Sequence, residues 1–299
     1  MDSSVAYEKR SASSNTITMD YFKGRTAVLA TMHGKEKAIA PLLKEMGVTV
    51  LVPEGLNTDA FGTFTGDISR AGNQLEAART KAHAALALSG LDLAIASEGS
   101  FGVDPEIPFV QSNLELVLLV DTKNNLEIRG HYRSRETNMN GSYVTTTDEA
   151  KSLAQKWGFP NHGVIVRKSQ KGTRHMYKDI QTVPDFEQQV LTLLSKLFTR
   201  KIYIETDMRA HRNPTRLQNI ARATEDLIKN MESLCPECET PGFVVIDTKG
   251  GVLCEGCGRP TDTPNILVYK CSKCEFSKEV LIADALISVD AGQCAYCNP

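Results

Sequence analysis

Hydrophobic and polar positions alternate along the first half of the chain in the manner of an α/β domain. From Thr26, TAVLAT is an apolar run of strand length. It leads into MHGKEKAIAPLLKEMG, where Ala38, Leu42, Leu43 and Met46 share one helical face and Gly47 supplies a stop. VTVLVP then reads as a second strand, and the β-α-β order predicts a parallel pair with a right-handed crossover. After the polar stretch Pro53 to Gly72, alanine and leucine recur at helical spacing from Leu75 to Leu88, and Ser89-Gly90 ends the helix. Leu91 to Ala96 is again strand-like and ends in Glu98, followed by Gly99, Gly102 and Asp104. A carboxylate just past the carboxyl end of a buried strand, in a loop of small residues, is where open α/β sheets hold ligands. The alternative is a solvated acid on a surface turn.

Further on, Leu114 to Asp121 and Leu126 to Tyr132 read as two strands around the turn Lys123-Asn124-Asn125. Thr147 or Asp148 caps a helix through Trp157, Gly163 to Arg167 is a short strand, and a helix runs from Phe186 to Phe198. The stripe Phe186, Val190, Leu193, Leu194 and Leu197 on that helix belongs to a core. KIYIETD, from Lys201 to Asp207, is a strand, and Pro214 with Thr215 opens a last long helix. The expected fold is α/β, a mixed, partly parallel sheet flanked by helices, with a separate cysteine-rich tail. The expected organisation is a polar, serine-rich extension over residues 1–22, an α/β domain over 23–232 and a small domain over 233–299.

Composition narrows the class. With 299 residues and 41% apolar content the chain can bury a core, and a net charge of −2 predicts no broad attraction to nucleic acid. Local basic patches and a homodimer are both compatible with it. No run reaches the length of a membrane span and no signal-peptide core opens the chain, so the expectation is a soluble, cytoplasmic protein that needs no membrane.

Two turns concentrate candidate chemistry. The one after the first strand carries Thr31, His33, Gly34, Lys35 and Lys37 at a helix amino end, where free backbone N–H groups and lysines suit a phosphate. The other, TDMRAHRNPTR, crowds Asp207, Arg209, His211, Arg212, Asn213 and Arg216 between a strand and a helix. Arginine forks bind phosphate or carboxylate, and histidine and asparagine can read a base edge. A purely bracing network is the competing explanation, with Asp207 orienting the arginines and Asn213 capping the helix.

The tail has the most specific signal. All eight cysteines form four CxxC pairs, Cys235/Cys238, Cys254/Cys257, Cys271/Cys274 and Cys294/Cys297. A two-residue gap lets both sulfurs of a knuckle face one ion, and two knuckles make a tetrahedral site, so the count predicts two structural zinc ions. Consecutive pairing leaves gaps of 15 and 19 residues, as in zinc ribbons, while pairing of the inner knuckles with each other and the outer ones with each other stays open. FVVID and ILVYK are strands able to carry the knuckles. A closed site of four thiolates has no open position for water, and no catalysis is assigned to it.

Several of these motifs resemble the inosine-triphosphate pyrophosphatase superfamily, enzymes that hydrolyse non-standard nucleoside triphosphates to monophosphate and pyrophosphate. ATMHGKEKAIAPLL is similar to that family's opening strand-turn-helix, LEAARTKA to its helix with Glu76 and Lys81, ASEGSFG to its acidic loop, and Ala210-His211-Arg212 to its Ser-His-Arg before the last helix. The resemblance implies a Mg2+-dependent nucleotide pyrophosphohydrolase. In it Glu98 and Glu76, with Asp104, would hold metal; Thr31, His33, Lys35, Lys37 and Lys81 would meet phosphates; and Arg209, His211 and Arg212 would surround the base. The family's Gly-Phe-x-Tyr-Asp-Pro loop has no counterpart here. TDMRAHRNPTR followed by the four CxxC pairs also resembles a family of bacterial proteins of unassigned activity that carry both features. The alternative function is a non-catalytic module that senses a nucleotide, its ribbons holding protein or nucleic acid. Asp247, Glu255, Asp262, Glu275, Asp284 and Asp290 offset the lysines of the tail and weigh against nucleic acid.

Overall fold

The computed structural model describes residues 21–56, 73–170, 175–282 and 287–299. The expected extension lies outside the described residues except for Tyr21 and Phe22, as does the polar stretch from residue 57 to 72. The chain divides into two compact units, Lys23–Ile228 and Lys229–Pro299, the latter grouped with the first residues through Phe22. No described helix is long and apolar enough to cross a membrane.

The larger unit is α/β and holds two sheets. The first is built from β1 (Thr26–Ala30), α1 (Glu36–Glu45), β2 (Thr49–Leu51), α2 (Gln74–Ser89), β3 (Leu93–Val103), β4 (Gln111–Asp121) and β5 (Leu126–Ser134), in the strand order β2-β1-β3-β4-β5. β1 pairs in parallel with both β2 and β3, so the chain leaves β1 on one side through α1 and comes back on the other through α2. The order reverses between β1 and β3, which makes their carboxyl ends a topological switch point. β4 and β5 continue the sheet antiparallel.

α2 starts in a capping box, with Asn73 and Glu76 each accepting the other's backbone N–H. Its Ala78, Ala82 and Ala85 pack on Val28, Ala30, Ala94, Ala96, Leu116 and Leu118 of the sheet. Alanines at the contact let the helix lie close to the strands.

The second sheet comprises β6 (Gly141–Val144), α3 (Thr147–Lys156), β7 (Val164–Arg167), β8 (Met176–Tyr177), α4 (Val183–Leu194) and β9 (Ile202–Thr206), ordered β6-β9-β7-β8 and antiparallel throughout. Its core gathers Val144, Trp157, Val166, Phe186, Val190, Leu193, Ile202 and Ile204. After β9 a single 3-10 turn, Ala210–Arg212, leads into α5 (Pro214–Glu232). Gly130 of β5 lets α5 approach at backbone distance, since a Cβ there would lie 2.2 Å from the Leu227 nitrogen and 2.3 Å from the Ala223 carbonyl oxygen.

Three local expectations are corrected. Glu98 lies inside β3 rather than in a loop after it, because β4 pairs with β3 along its whole length, through Gly99 and Gly102. The cap of α3 is Thr146, whose hydroxyl accepts from the Glu149 N–H. α4 starts at Val183 behind a Thr182 cap and stops at Leu194, leaving Leu197 and Phe198 79% and 93% exposed instead of extending the core stripe.

The smaller unit carries β10 (Val244–Gly250), β11 (Leu253–Cys254), β12 (Pro264–Lys270), β13 (Ser277–Leu281) and β14 (Ser288–Val289). β10, β12 and β13 form an antiparallel sheet and β11 pairs with β14 in parallel. Phe243, Tyr269 and Phe276 pack with Cys235 and Cys271 in a small core. The boundary between the units falls within α5, at Ile228/Lys229.

Candidate functional site

The switch point collects charge from three separate segments. Thr31 follows β1, is buried, and accepts the His33 N–H through its hydroxyl at 3.3 Å. Lys35 turns inward and donates to the Ser97 carbonyl at 2.8 Å. Burial, reinforced by the nearby Arg216 charge, lowers its pKa from the ordinary 10.5 to about 7, against the opposing pull of Glu98 and Glu115. Strand alternation puts Ala94, Ala96 and Glu98 on the face that α2 covers. There the Lys81 ammonium, one helical turn in from Ala78, forms an ion pair with Glu98, and both groups are buried. Gln74 steadies this corner by donating to the Glu98 carbonyl at 2.6 Å and to the Leu114 carbonyl at 3.0 Å.

On the opposite face of the same strands sits a second charge pair. Arg216 Nε meets Glu115 Oε1 at 2.9 Å, with both side chains out of contact with water. Arg216 also donates to the Met208 carbonyl at 2.7 Å, and Asn113 donates to Glu115 Oε1 at 3.0 Å. Gly99 makes room for the pair: a Cβ at that position would fall 2.4 Å from Glu115 Oε1 and 2.7 Å from an Arg216 nitrogen. Glu115 is absent from the sequence-based candidates. Its signal was an acid directly before the apolar stretch Leu116 to Val120, a run apolar enough to be buried on both faces.

In the TDMRAHRNPTR turn, Asp207 is buried and receives Arg209 from its backbone N–H, Nε and Nη2. Arg209 reaches on to Asp179 at 2.7 Å. Arg212 donates to the Ile180 carbonyl, its own carbonyl accepts the Gly163 N–H at 2.6 Å, and Asn213 caps α5 through the Arg216 N–H at 3.0 Å. His211 stays partly exposed. Its ring stacks on His33 at 5.2 Å between centroids, joining the two candidate turns, and its Nε2 lies 3.5 Å from Asp179.

Three further candidates have partners or exposure of their own. Glu76 spends its carboxylate on the Asn73 N–H of the capping box at 2.9 Å. Asp104 accepts the Glu106 and Ile107 N–H groups at 3.0 and 3.1 Å and pairs with Arg135, whose guanidinium keeps its carboxyl below the usual range. Lys37 points to the surface. Of the three acids expected to hold Mg2+, Glu98 is paired with Lys81, Glu76 accepts the Asn73 N–H and Asp104 is paired with Arg135.

Beside the charge pair, a cleft of about 580 Å3 opens between the end of β3 (Gly99, Ser100, Phe101), the Met139–Gly141 segment and β9 with its continuation (Tyr203, Glu205, Asp207, Met208). Ile202 and Ile204 face the core, so the alternate residues Tyr203 and Glu205 turn the other way. That alternation was readable in KIYIETD as apolar against polar, yet nothing in it told of a cavity. Burial raises the pKa of Glu205, with Arg167, its ion-pair partner, pulling the other way.

In the smaller unit the eight thiols form two groups of four, Cys235/Cys238/Cys271/Cys274 and Cys254/Cys257/Cys294/Cys297, each with its sulfurs within 4.8 Å of one another. Contacts of 3.6 and 3.7 Å in the first and 3.8 Å in the second match the sulfur spacing of about 3.8 Å that a tetrahedral zinc site with bonds of about 2.3 Å requires. Knuckles one and three form one site, and two and four the other. The expectation of consecutive ribbons is thereby corrected, because β10 and β12 pair antiparallel and carry the first knuckle to the third. A hydrogen bond with the Thr240 hydroxyl draws the Cys238 thiol down to about 6, and the Cys297 and Tyr296 backbone draws Cys294 down to about 7. In the same sites the neighbouring thiols push Cys274 and Cys297 up, so each group of four divides between a thiol that ionises readily and one that holds its proton until a metal displaces it.

No curated protein and no solved structure matches the chain. The family described as Domain of unknown function (DUF6671) matches residues 81–299, from Lys81 through Glu98 and the TDMRAHRNPTR turn to the last knuckle. The match spans both compact units and all eight cysteines, and the chain belongs to the DUF6671 family.

Proposed function

We propose that the α/β unit binds a nucleotide by its phosphates at the β1–β3 switch point and hydrolyses a phosphoanhydride bond there, in the manner of the inosine-triphosphate pyrophosphatase superfamily its motifs resemble. The C-terminal unit is then a structural module built on two zinc ions. The observation that carries the reading is the convergence of Lys35, Lys81 and Glu98, from three segments, just past the point where the parallel β1–β3 pairing ends at Ala30 and Ala96. Two buried ammonium groups against one directly paired acid suit an anionic ligand, and a polyphosphate could draw Lys81 away from Glu98 and open the carboxylate to a metal. Glu98 fits the need of Mg2+ for one or two carboxylates beside phosphate oxygens, and an ion there would supply neutralisation of the leaving pyrophosphate. Lys35 and Lys81 orient the phosphates, while His33 and His211 border the site.

A second reading, a nucleotide sensor without turnover, is favoured by one observation: Glu76 and Asp104 are tied up in local hydrogen bonds. A panel of nucleoside triphosphates with Mg2+, reading pyrophosphate and phosphate separately, decides between the two. Glu98→Gln is expected to keep nucleotide binding and to lower turnover by at least about 10²-fold, roughly 2.7 kcal/mol of transition-state stabilisation. Binding without turnover in the unaltered protein would leave the sensor reading standing. Absence of binding to any nucleotide would sink both.

A further inference from the structure

The cleft on the Arg216–Glu115 face of β3, past the open edge that β1 leaves beyond Ala96, has a lining that selects a ligand. Its polar wall is β9, where Glu205 stands between Tyr203 and Asp207 on the side turned away from the core. Asp207 is committed to Arg209 through both oxygens, and Tyr203 lies wedged over Gly141, whose Cβ would fall 2.2 Å from the phenol oxygen. Glu205 keeps its ion pair with the buried Arg167, and its side chain is 24% exposed. The other walls are flat or soft: Phe101, which lies against the Arg216 guanidinium at 5.8 Å, and Met139 and Met208. Aromatic and thioether surfaces of this kind suit a planar ring system, and 580 Å3 accommodates a nucleoside.

Resting on the nucleotide reading above, we propose that this cleft holds the base and that Glu205 selects guanine. An ionised carboxylate only accepts hydrogen bonds. Guanine presents N1–H and the 2-amino group side by side and satisfies both oxygens at once. Hypoxanthine offers N1–H alone, adenine sets an acceptor beside its amine, and xanthine flanks N1–H with two carbonyl oxygens that a carboxylate repels. Selection of guanine over hypoxanthine runs opposite to the preference that the superfamily resemblance implies.

The test is calorimetric titration of the zinc-loaded full chain with guanosine, inosine and adenosine monophosphates. The guanine nucleotide is expected to bind about tenfold to a hundredfold tighter than the inosine one, the scale of one charge-assisted hydrogen bond. Glu205→Gln, checked for an unchanged melting temperature, should bring the two within about threefold. Comparison of the three ligands on the unaltered protein needs no variant, so a folding defect in Glu205→Gln leaves the question decidable. Equal affinity for guanosine and inosine monophosphates, or a guanine preference that survives in folded Glu205→Gln, overturns the assignment. If that binding is lost in Lys81→Met, the phosphate site stands and only the base assignment falls. No binding of any nucleotide overturns both.

Discussion

Burying the Lys35 ammonium against a carbonyl oxygen brings its pKa to about 7. Because the folded value lies below the unfolded one, the unfolded chain binds more protons between about pH 7 and 10.5, and stability rises with pH across that window. Below it the buried charge costs a few kcal/mol, roughly 1.4 kcal/mol for each tenfold loss of proton affinity. Lys35→Met is therefore expected to raise the melting temperature at pH 7, with a gain that fades toward pH 10, while nucleotide binding is lost. A melting temperature that falls at pH 7 would show that the lysine braces the fold. Arg216 and Glu115 behave differently, as a fully buried pair that is costly to break from one side. Arg216→Met should destabilise by about 3–5 kcal/mol in urea unfolding, and adding Glu115→Met should restore most of the loss, since the stranded charge rather than the missing bond carries the cost. Additive losses would contradict that account.

At the scale of elements, the approach of α5 to β5 depends on Gly130. The helix backbone occupies the space a side chain would need there, so Gly130→Ala must push α5 outward or bend the strand. A loss of about 2 kcal/mol or more is expected from chemical denaturation, above the usual overpacking cost because backbone atoms cannot rotate away. The shift would also move Arg216 and the Asn213 cap, so ligand binding should weaken with it. In the smaller unit the interleaved knuckles make each metal site depend on the other. Titration with a chelator is expected to release both zinc ions in one step, with loss of the β10-β12-β13 sheet. Two well-separated release steps would mean that the sites fold independently in spite of their crossing.

Across the whole molecule, each unit has a core of its own: the sheet-and-helix clusters of Lys23–Ile228, and the Phe243, Tyr269 and Phe276 cluster with its cysteines. So small an apolar cluster does not hold a domain without metal, whereas the larger unit buries enough to stand alone. Removing metal from the full chain should then abolish the signal of the C-terminal unit and leave the melting transition of the α/β unit within about 3 °C of its original position. Joint melting would show that the two are coupled.

What the sequence determined by itself was local. Strand and helix periods from Thr26 to Tyr132, the parallel β1–β2 unit, the cap at Asn213 and the cysteine count all follow from residue spacing of at most a few turns. Tertiary structure decided everything that joins distant segments. Whether Glu98 ends a strand or lies within it depended on β4 pairing back through Gly99 and Gly102, which no local pattern encodes. Which group each acid is spent on depended on Asn73 for Glu76, Arg135 for Asp104 and Lys81 for Glu98. Knuckle partnership followed from strand pairing and not from gap length. The physical reason is common to all of these. Backbone propensity acts over a few residues, whereas a buried charge is tolerated only where the fold brings it a partner, and that partner can stand a hundred residues away, as Arg216 stands from Glu115.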